Sequence, residues 1–180
     1  QTTAVRDANN ITVFLFNDVE ASGLELEVVA RPTPNWTLRG NFGTLDAQYV
    51  NVPVTNTSIF PLKDKTPKHN PEFTYAIATD YEFDELGPVP GSLKLSGEYS
   101  YVDDFWGCLG NVSVCRQEGY GLVNLSAVWT SEEGGLQVVL AGTNVTDEAY
   151  FKNGSSGNGT LVSQWYLPPA EYTITFRQKF

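Results

Sequence analysis

The sequence predicts an all-β chain of antiparallel, up-and-down transmembrane β-barrel strands, about seven to eight of them and long. Three observations predict this. Apolar and polar residues alternate with period two through seven segments. Each segment is roughly 9 to 13 residues long, against about 5 to 6 for most soluble strands and close to the length of a tilted strand crossing a bilayer. The connections run short, long, short, long, short, long, which in a meander puts every tight turn at one end of the sheet and every long loop at the other.

The segments follow in order. The first runs from about Ile11 to Arg31 and is clearest at its end, where Leu24, Leu26, Val28 and Ala30 oppose Glu25, Glu27 and Arg31. After a turn with Pro32, Pro34 and Asn35, the residues Trp36, Leu38, Gly40 and Phe42 alternate with Thr37, Arg39 and Asn41. A long connection from about Tyr49 to Asn70 leads to the most regular segment. There Phe73, Tyr75, Ile77, Thr79, Tyr81 and Phe83 oppose Glu72, Thr74, Ala76, Ala78, Asp80 and Glu82. Gly87, Pro88, Pro90 and Gly91 mark the next turn, and Leu93, Leu95, Gly97, Tyr99 and Tyr101 then face away from Lys94, Ser96, Glu98 and Ser100. Beyond the long connection Asp103 to Glu118, Val123, Leu125, Ala127 and Trp129 oppose Asn124, Ser126 and Thr130. Ser131 to Gly135 is short. Leu136, Val138 and Leu140 lead a sixth strand, whose second face Val139 and Ala141 blur. After Glu148 to Pro168, the last segment sets Tyr172, Ile174, Phe176 and Phe180 against Glu171, Thr173, Thr175, Arg177 and Lys179. A less obvious eighth strand is a candidate around Ile11 to Phe16.

Aromatic residues fall at the strand ends. Trp36, Tyr81, Phe83, Trp129 and Phe180 lie near the short turns, and Tyr101, Phe105, Trp106, Tyr120, Tyr150 and Trp165 near the long loops. Two such belts suit amphipathic rings at two membrane interfaces.

Composition narrows the functions. A length of 180 residues with 41% hydrophobic content suffices for an ordinary core, and 13% aromatics with 16 Gly and 10 Pro favour strands and turns. The net charge of -10 argues against nucleic acid as a partner. No stretch approaches the ~20 apolar residues of a spanning helix, which leaves barrels open. The absence of methionine, even at position 1, points to a processed chain or a fragment. Cys108 and Cys115 lie in a Gly/Asn/Ser-containing loop, where their spacing fits a local disulfide made in an oxidising compartment; two ordinary thiols are the alternative. With one histidine and no CxxC pair, no metal site or cofactor is predicted. Asp103/Asp104 and Glu132/Glu133 sit in loops without a Ca²⁺-loop pattern, and no GxSxG elbow occurs, so catalysis is not predicted.

Read together, the motifs resemble a known family. GLELE at Gly23 to Glu27, ARPTPNWTLRGNF, LDAQY at Leu45 to Tyr49, and KTPKHNPEFTYAIATDYEF are similar to the C-terminal barrel of TonB-dependent outer-membrane receptors, of the siderophore or cobalamin type. NVTDEAY, Asn144 to Tyr150, resembles the family's penultimate-strand pattern of Asn, Asp and Tyr. PPAEY at Pro168 to Tyr172 departs from the Pro-Arg step of many relatives. The resemblance implies that residues 1–180 are the C-terminal part of a larger barrel, with no plug domain in this chain. It also implies that Tyr172, Ile174, Phe176 and Phe180 form the signal read by the barrel-assembly machinery.

Parity divides the residues by environment. The apolar set meets outer-membrane lipid, while Glu25, Glu27, Arg39, Glu72, Asp80, Glu82, Lys94, Glu98, Glu171, Arg177 and Lys179 line the lumen. By resemblance these lumenal residues bond the plug and a hydrated path. Phe105, Trp106, Tyr150, Trp165 and Tyr166, in the outer loops, are the candidates for ligand contact, with anchoring of the outer interface as their alternative role. The function implied is uptake of scarce nutrients such as ferric siderophores, a small-molecule or metal-chelate substrate, across the outer membrane of a Gram-negative bacterium. TonB would act through the missing N-terminal part, and the remainder of the barrel and plug would close the sheet. A small independent outer-membrane barrel with a structural, adhesive or binding role is the alternative.

Overall fold

The computed structural model describes residues 2–6, 12–16, 18–50, 65–157 and 160–179. Thirteen strands and one 3-10 turn account for most of them. In chain order these are β1 (Thr2–Arg6), β2 (Thr12–Phe16), β3 (Asp18–Thr33), β4 (Trp36–Val50), β5 (Phe73–Phe83), β6 (Ser92–Val102) and β7 (Phe105–Trp106). The turn Ser113–Cys115 follows, then β8 (Arg116–Gln117), β9 (Tyr120–Thr130), β10 (Leu136–Thr143), β11 (Phe151–Gly157), β12 (Thr160–Tyr166) and β13 (Glu171–Gln178).

The seven long segments form one antiparallel sheet in the order β13-β10-β9-β6-β5-β4-β3. It is the meander that the alternating connections predict. Tight turns join β3 to β4, β5 to β6 and β9 to β10 at one end; β7 with β8, and β11 with β12, form small hairpins inside the long connections at the other. Glycine is required where one short turn meets its neighbour. Gly91 has φ +115°, and a Cβ on it would lie 2.2 Å from the Thr130 carbonyl oxygen.

Within this sheet strand lengths spread more widely than the alternation suggests, from 8 residues in β10 and β13 to 16 in β3. β10 stops at Thr143 because Asn144 turns into the left-handed region at φ 48°. β13 starts only after Pro168 and Pro169, which have no N–H to give to a ladder. β3 and β4 run on together as far as Asp18 opposite Val50.

The eighth-strand candidate is a strand, but not of this sheet. β2 pairs with β1 as a separate hairpin, and among the described residues β3 and β13 are the two edges of the sheet. Among the described residues the buried hydrophobic side chains are Ala47, Tyr49, Phe105, Cys108, Cys115 and Phe151, all toward the long-connection end. The middle of the sheet contributes none, because both of its faces are open.

Candidate functional site

In an antiparallel ladder, residues opposite one another share a face, so the registers sort the sheet into two. One face carries Leu26, Phe42, Tyr75 and Tyr101 in one row; Trp36, Tyr81, Leu95, Ala127, Leu140 and Ile174 in another; and Phe83, Leu93, Trp129, Val138 and Phe176 in a third. Much of this face is open: Leu26 is exposed to 55%, Leu140 to 48% and Phe176 to 72%, and Ile77, on the same face, to 60%. Their rings pack laterally: Tyr75 stacks on Tyr101 at 5.3 Å, and Tyr81 lies 4.7 Å from Phe83. Tyr99 lies across Gly121, where a Cβ would come within 2.4 Å of its hydroxyl. The apolar face has an upper limit. Above Leu24 and Phe42 the same positions become Ser22, Glu20 and Asp18 on β3, and Thr44, Asp46 and Gln48 on β4.

The opposite face is a polar network. Asp80, 9% exposed, accepts hydrogen bonds from Arg39 and Ser96 and lies 3.5 Å from Lys94 Nζ. Beside it, Asn124 donates to Glu98 at 3.3 Å, and Arg177 donates to Gln137 at 3.1 Å. Small residues, Ala78, Ser96, Ser126 and Ala141, floor a shallow trough between these groups. The other lumenal candidates hold the same parity. Glu25 and Glu27 face Gly43 and Asn41, Glu82 faces Lys94, and Glu171 faces Thr143. The Glu72 carbonyl accepts the Leu45 N–H at 2.8 Å, and Lys179 donates its N–H to the Gly135 carbonyl at 2.9 Å.

The three long connections dock on one another to form a cap. Cys108 and Cys115 are joined in a disulfide with a Cα–Cα distance of 5.7 Å, and Cys115 is fully buried. Gln117, 7% exposed, is the hinge between two connections: its Oε1 accepts the Phe151 N–H at 2.9 Å, and its Nε2 donates to the Glu118 carbonyl. Gly107 donates its N–H to the Cys115 carbonyl at 2.8 Å, and its own carbonyl accepts the Gly154 N–H at 3.3 Å. The first connection joins through Thr66, whose N–H and carbonyl bond the Asn111 side chain at 2.9 and 3.0 Å. His69 adds a second link, donating its N–H to the Trp106 carbonyl at 2.9 Å. Although much of His69 is exposed, its ring lies edge-on to Phe105 at 5.8 Å. That partial burial lowers its pKa; the charges of Lys68 and Lys152 act in the same direction, against a hydrogen bond to the Lys152 backbone.

The NVTDEAY segment ties the cap to the wall. Asn144 gives its N–H to Asn124 Oδ1 at 3.0 Å, its Nδ2 to the Glu148 carbonyl at 2.9 Å, and takes the Glu148 N–H on Oδ1. Asp147 accepts the Ala170 N–H at 3.0 Å, just before β13, and Tyr150 stacks on Tyr120 at 4.4 Å. Burial raises the Tyr150 pKa. Nothing in local sequence spacing announced the roles of Gln117 and Asn111. Both act across 34 or more positions, although Asn144 was visible as part of a motif.

The ligand-contact candidates separate into two kinds. Phe105 is 7% exposed and faces the cap's interior, and Tyr150 packs on Tyr120. Trp106 is half-buried, with the Arg116 guanidinium 5.9 Å from its ring. Trp165 and Tyr166 are open, at 54% and 62%. Of the assembly-signal residues, Tyr172, Ile174 and Phe176 lie on the apolar face of the edge strand β13, while Phe180 lies outside the described residues.

Residues 1–145 match the family described as TonB dependent receptor-like, beta-barrel. No curated protein matches the chain by sequence. The fold is similar to that of the ferric yersiniabactin uptake receptor FyuA from Yersinia pestis, at 18% identity and TM-score 0.77, covering 91% of this chain and 24% of that one. It is also similar to the siderophore receptor PiuA from Acinetobacter baumannii, at 17% and 0.71, covering 100% and 24%. The ferripyoverdine receptor of the outer membrane of Pseudomonas aeruginosa, bound to ferripyoverdine, matches at 17% and 0.64, covering 94% and 20%. The chain thus spans about a quarter or less of these receptors.

Proposed function

We propose, from the premise that this chain belongs to the TonB-dependent receptor-like β-barrel family, that it supplies wall and outer loops to a transporter taking up ferric siderophores or similar scarce chelates. The family is one of receptors and transporters rather than enzymes, and of the Gram-negative outer membrane. In this reading residues 1–180 are the C-terminal part of the barrel. The remainder of the barrel pairs with the edges β3 and β13, and a plug fills the lumen. TonB delivers energy through an N-terminal part, and the assembly machinery reads β13.

The observation that carries the proposal is the pair of unlike faces on one open-edged sheet. A soluble sheet that exposed Leu26, Ile77, Leu140 and Phe176 together would aggregate, whereas lipid tails solvate that face. Phe73 to Phe83, ten residue steps, covers ~34 Å along the strand, and at a ~40° tilt ~26 Å of membrane depth, close to the ~25 Å apolar band of outer-membrane barrels. The edges favour this over an independent small barrel, since hydrocarbon does not tolerate unpaired strand edges and β3 and β13 do not pair with each other. The test is uptake of radio-iron chelates by cells expressing the full-length gene. Accumulation that requires TonB and is lost when residues 1–180 are deleted supports the proposal. A protein that fractionates without detergent into the soluble phase would refute it.

A further inference from the structure

Two cysteines seven positions apart can pair in many loops, but here the bridge is also covered. Cys115 is fully buried and Cys108 is 5% exposed. The cover comes from a different part of the chain. β11 and β12 lie against the bridged loop and hold it at three points. The Gly154 N–H donates to the Gly107 carbonyl at 3.3 Å, the Gln164 side-chain amide to the Val114 carbonyl at 3.2 Å, and the Phe151 N–H to Gln117 Oε1 at 2.9 Å. Gly154 sits against the bridge itself, where a Cβ would lie 3.4 Å from Cys115 Sγ. Buried Phe151 closes the adjoining side, its ring so near Gly107 that a Cβ there would meet it at 2.8 Å.

A disulfide is exchanged only when a third sulfur reaches one of its own, so making and breaking it both require access. With β11 and β12 seated, that access is closed. Oxidation therefore comes first and docking second. The dependence also runs the other way. The acceptors at positions 107, 114 and 117 bracket the loop from Cys108 to Cys115, so the bridge fixes their spacing. In a reduced chain that loop regains its conformational freedom, and β11 and β12 lose the ordered set of acceptors that holds them.

We propose that an external disulfide oxidant closes the Cys108–Cys115 bridge before β11 and β12 dock, and that docking then seals it. The cap thus assembles only in oxidised chains, and thiols in the medium cannot reopen it. In the closing step one cysteine thiolate attacks the oxidant's disulfide and the other cysteine displaces the resulting mixed disulfide. The oxidant leaves as a dithiol, carrying the two electrons and, on its sulfurs, the two protons. The inference does not depend on which substrate is taken up. Its test follows reduction of full-length protein in isolated outer membranes by dithiothreitol, read as alkylation of Cys108 and Cys115 by mass spectrometry. Native wild type is reduced about 100-fold or more slowly than the same protein in denaturant, because exchange waits for β11 and β12 to open. Gly107→Leu, which denies the Phe151 ring its seat, and Gln117→Ala, which removes its anchor, each raise the native rate about 10-fold or more and leave the denatured rate unchanged. Dithiothreitol given to cells during synthesis yields reduced protein in which an external protease cleaves residues 151–166; given after assembly, it alters neither the bridge nor the cleavage. Equal reduction of native and denatured wild type overturns the sealing. Full protection of residues 151–166 in the Cys108→Ser, Cys115→Ser variant overturns the dependence of docking on the bridge.

Discussion

In the sheet the large apolar side chains point outward, Ile77 60% and Phe176 72% exposed, whereas in the cap Phe105 and Phe151 are 7% and 5% exposed and Cys115 is fully buried. The two regions solve the same problem for different solvents. Wall residues need only alternate, because each ladder satisfies the backbone and the surroundings accept whichever face they match. The cap must exclude water from a small volume, so it depends on a disulfide, on buried Gln117 and on Asn144, whose partners come from distant parts of the chain. A wall of this kind tolerates exchange among apolar residues. A cap of this kind is sensitive to single atoms.

That contrast can be broken most forcefully at adjacent residues of β5. Ile77→Lys, on the apolar face, is expected to cost about 2–4 kcal/mol in folding into lipid vesicles, and Ala78→Lys, on the polar face beside Glu98, about 1 kcal/mol or less. Similar costs, measured by denaturant titration in vesicles, would break the two-faced wall. Next in size is the double variant Cys108→Ser, Cys115→Ser. It should destabilise the cap by about 2–3 kcal/mol through the loss of a short covalent loop. Limited proteolysis should then cleave residues 103–119 faster while circular dichroism reports the same strand content.

Asp80→Ala tests the polar face. Removing the buried acceptor leaves Arg39 and Lys94 unpaired, but both are about half exposed (49% and 47%) and water screens them, so about 1 kcal/mol is expected. A loss as large as that of Ile77→Lys would mean that the polar face, too, acts as a core. The smallest effect is in pH. Because the folded-state pKa of His69 lies below its ordinary 6.5, the neutral ring stabilises the cap, fully so above that value. The contribution falls as pH drops from there through the folded pKa, as a proton is forced onto a partly buried ring and, secondarily, against the charges of Lys68 and Lys152. Hydrogen exchange of residues 65–72 should quicken over that interval in wild type and stay flat in His69→Gln.

Strand identity was legible residue by residue where one face is apolar. Phe73 to Phe83 alternates without fault, and the structure pairs it across its whole length. Strand ends were less legible, since the left-handed turn at Asn144 and the prolines at 168 and 169 act over single residues. The placement of β2 could not be read at all: its apolar content suits a strand, but whether it joins the sheet or pairs with β1 depends on partners, not on its own pattern. In the cap, Phe105 and Trp165 look alike in sequence, each an aromatic residue in a long loop. One is 7% exposed and the other 54%, because burial there is set by which loops dock.

The sequence by itself determined the period, the division of each strand into two faces and the alternation of short and long connections, since all three arise from neighbours two residues apart or from turns that prolines and glycines impose. Only the tertiary structure decided that Asp80 collects Arg39, Lys94 and Ser96, that Gln117 holds Phe151, and that the Lys152 backbone comes to His69. Those contacts join residues 14 to 83 positions apart, and such meetings are fixed by strand register and loop docking, which no local pattern encodes.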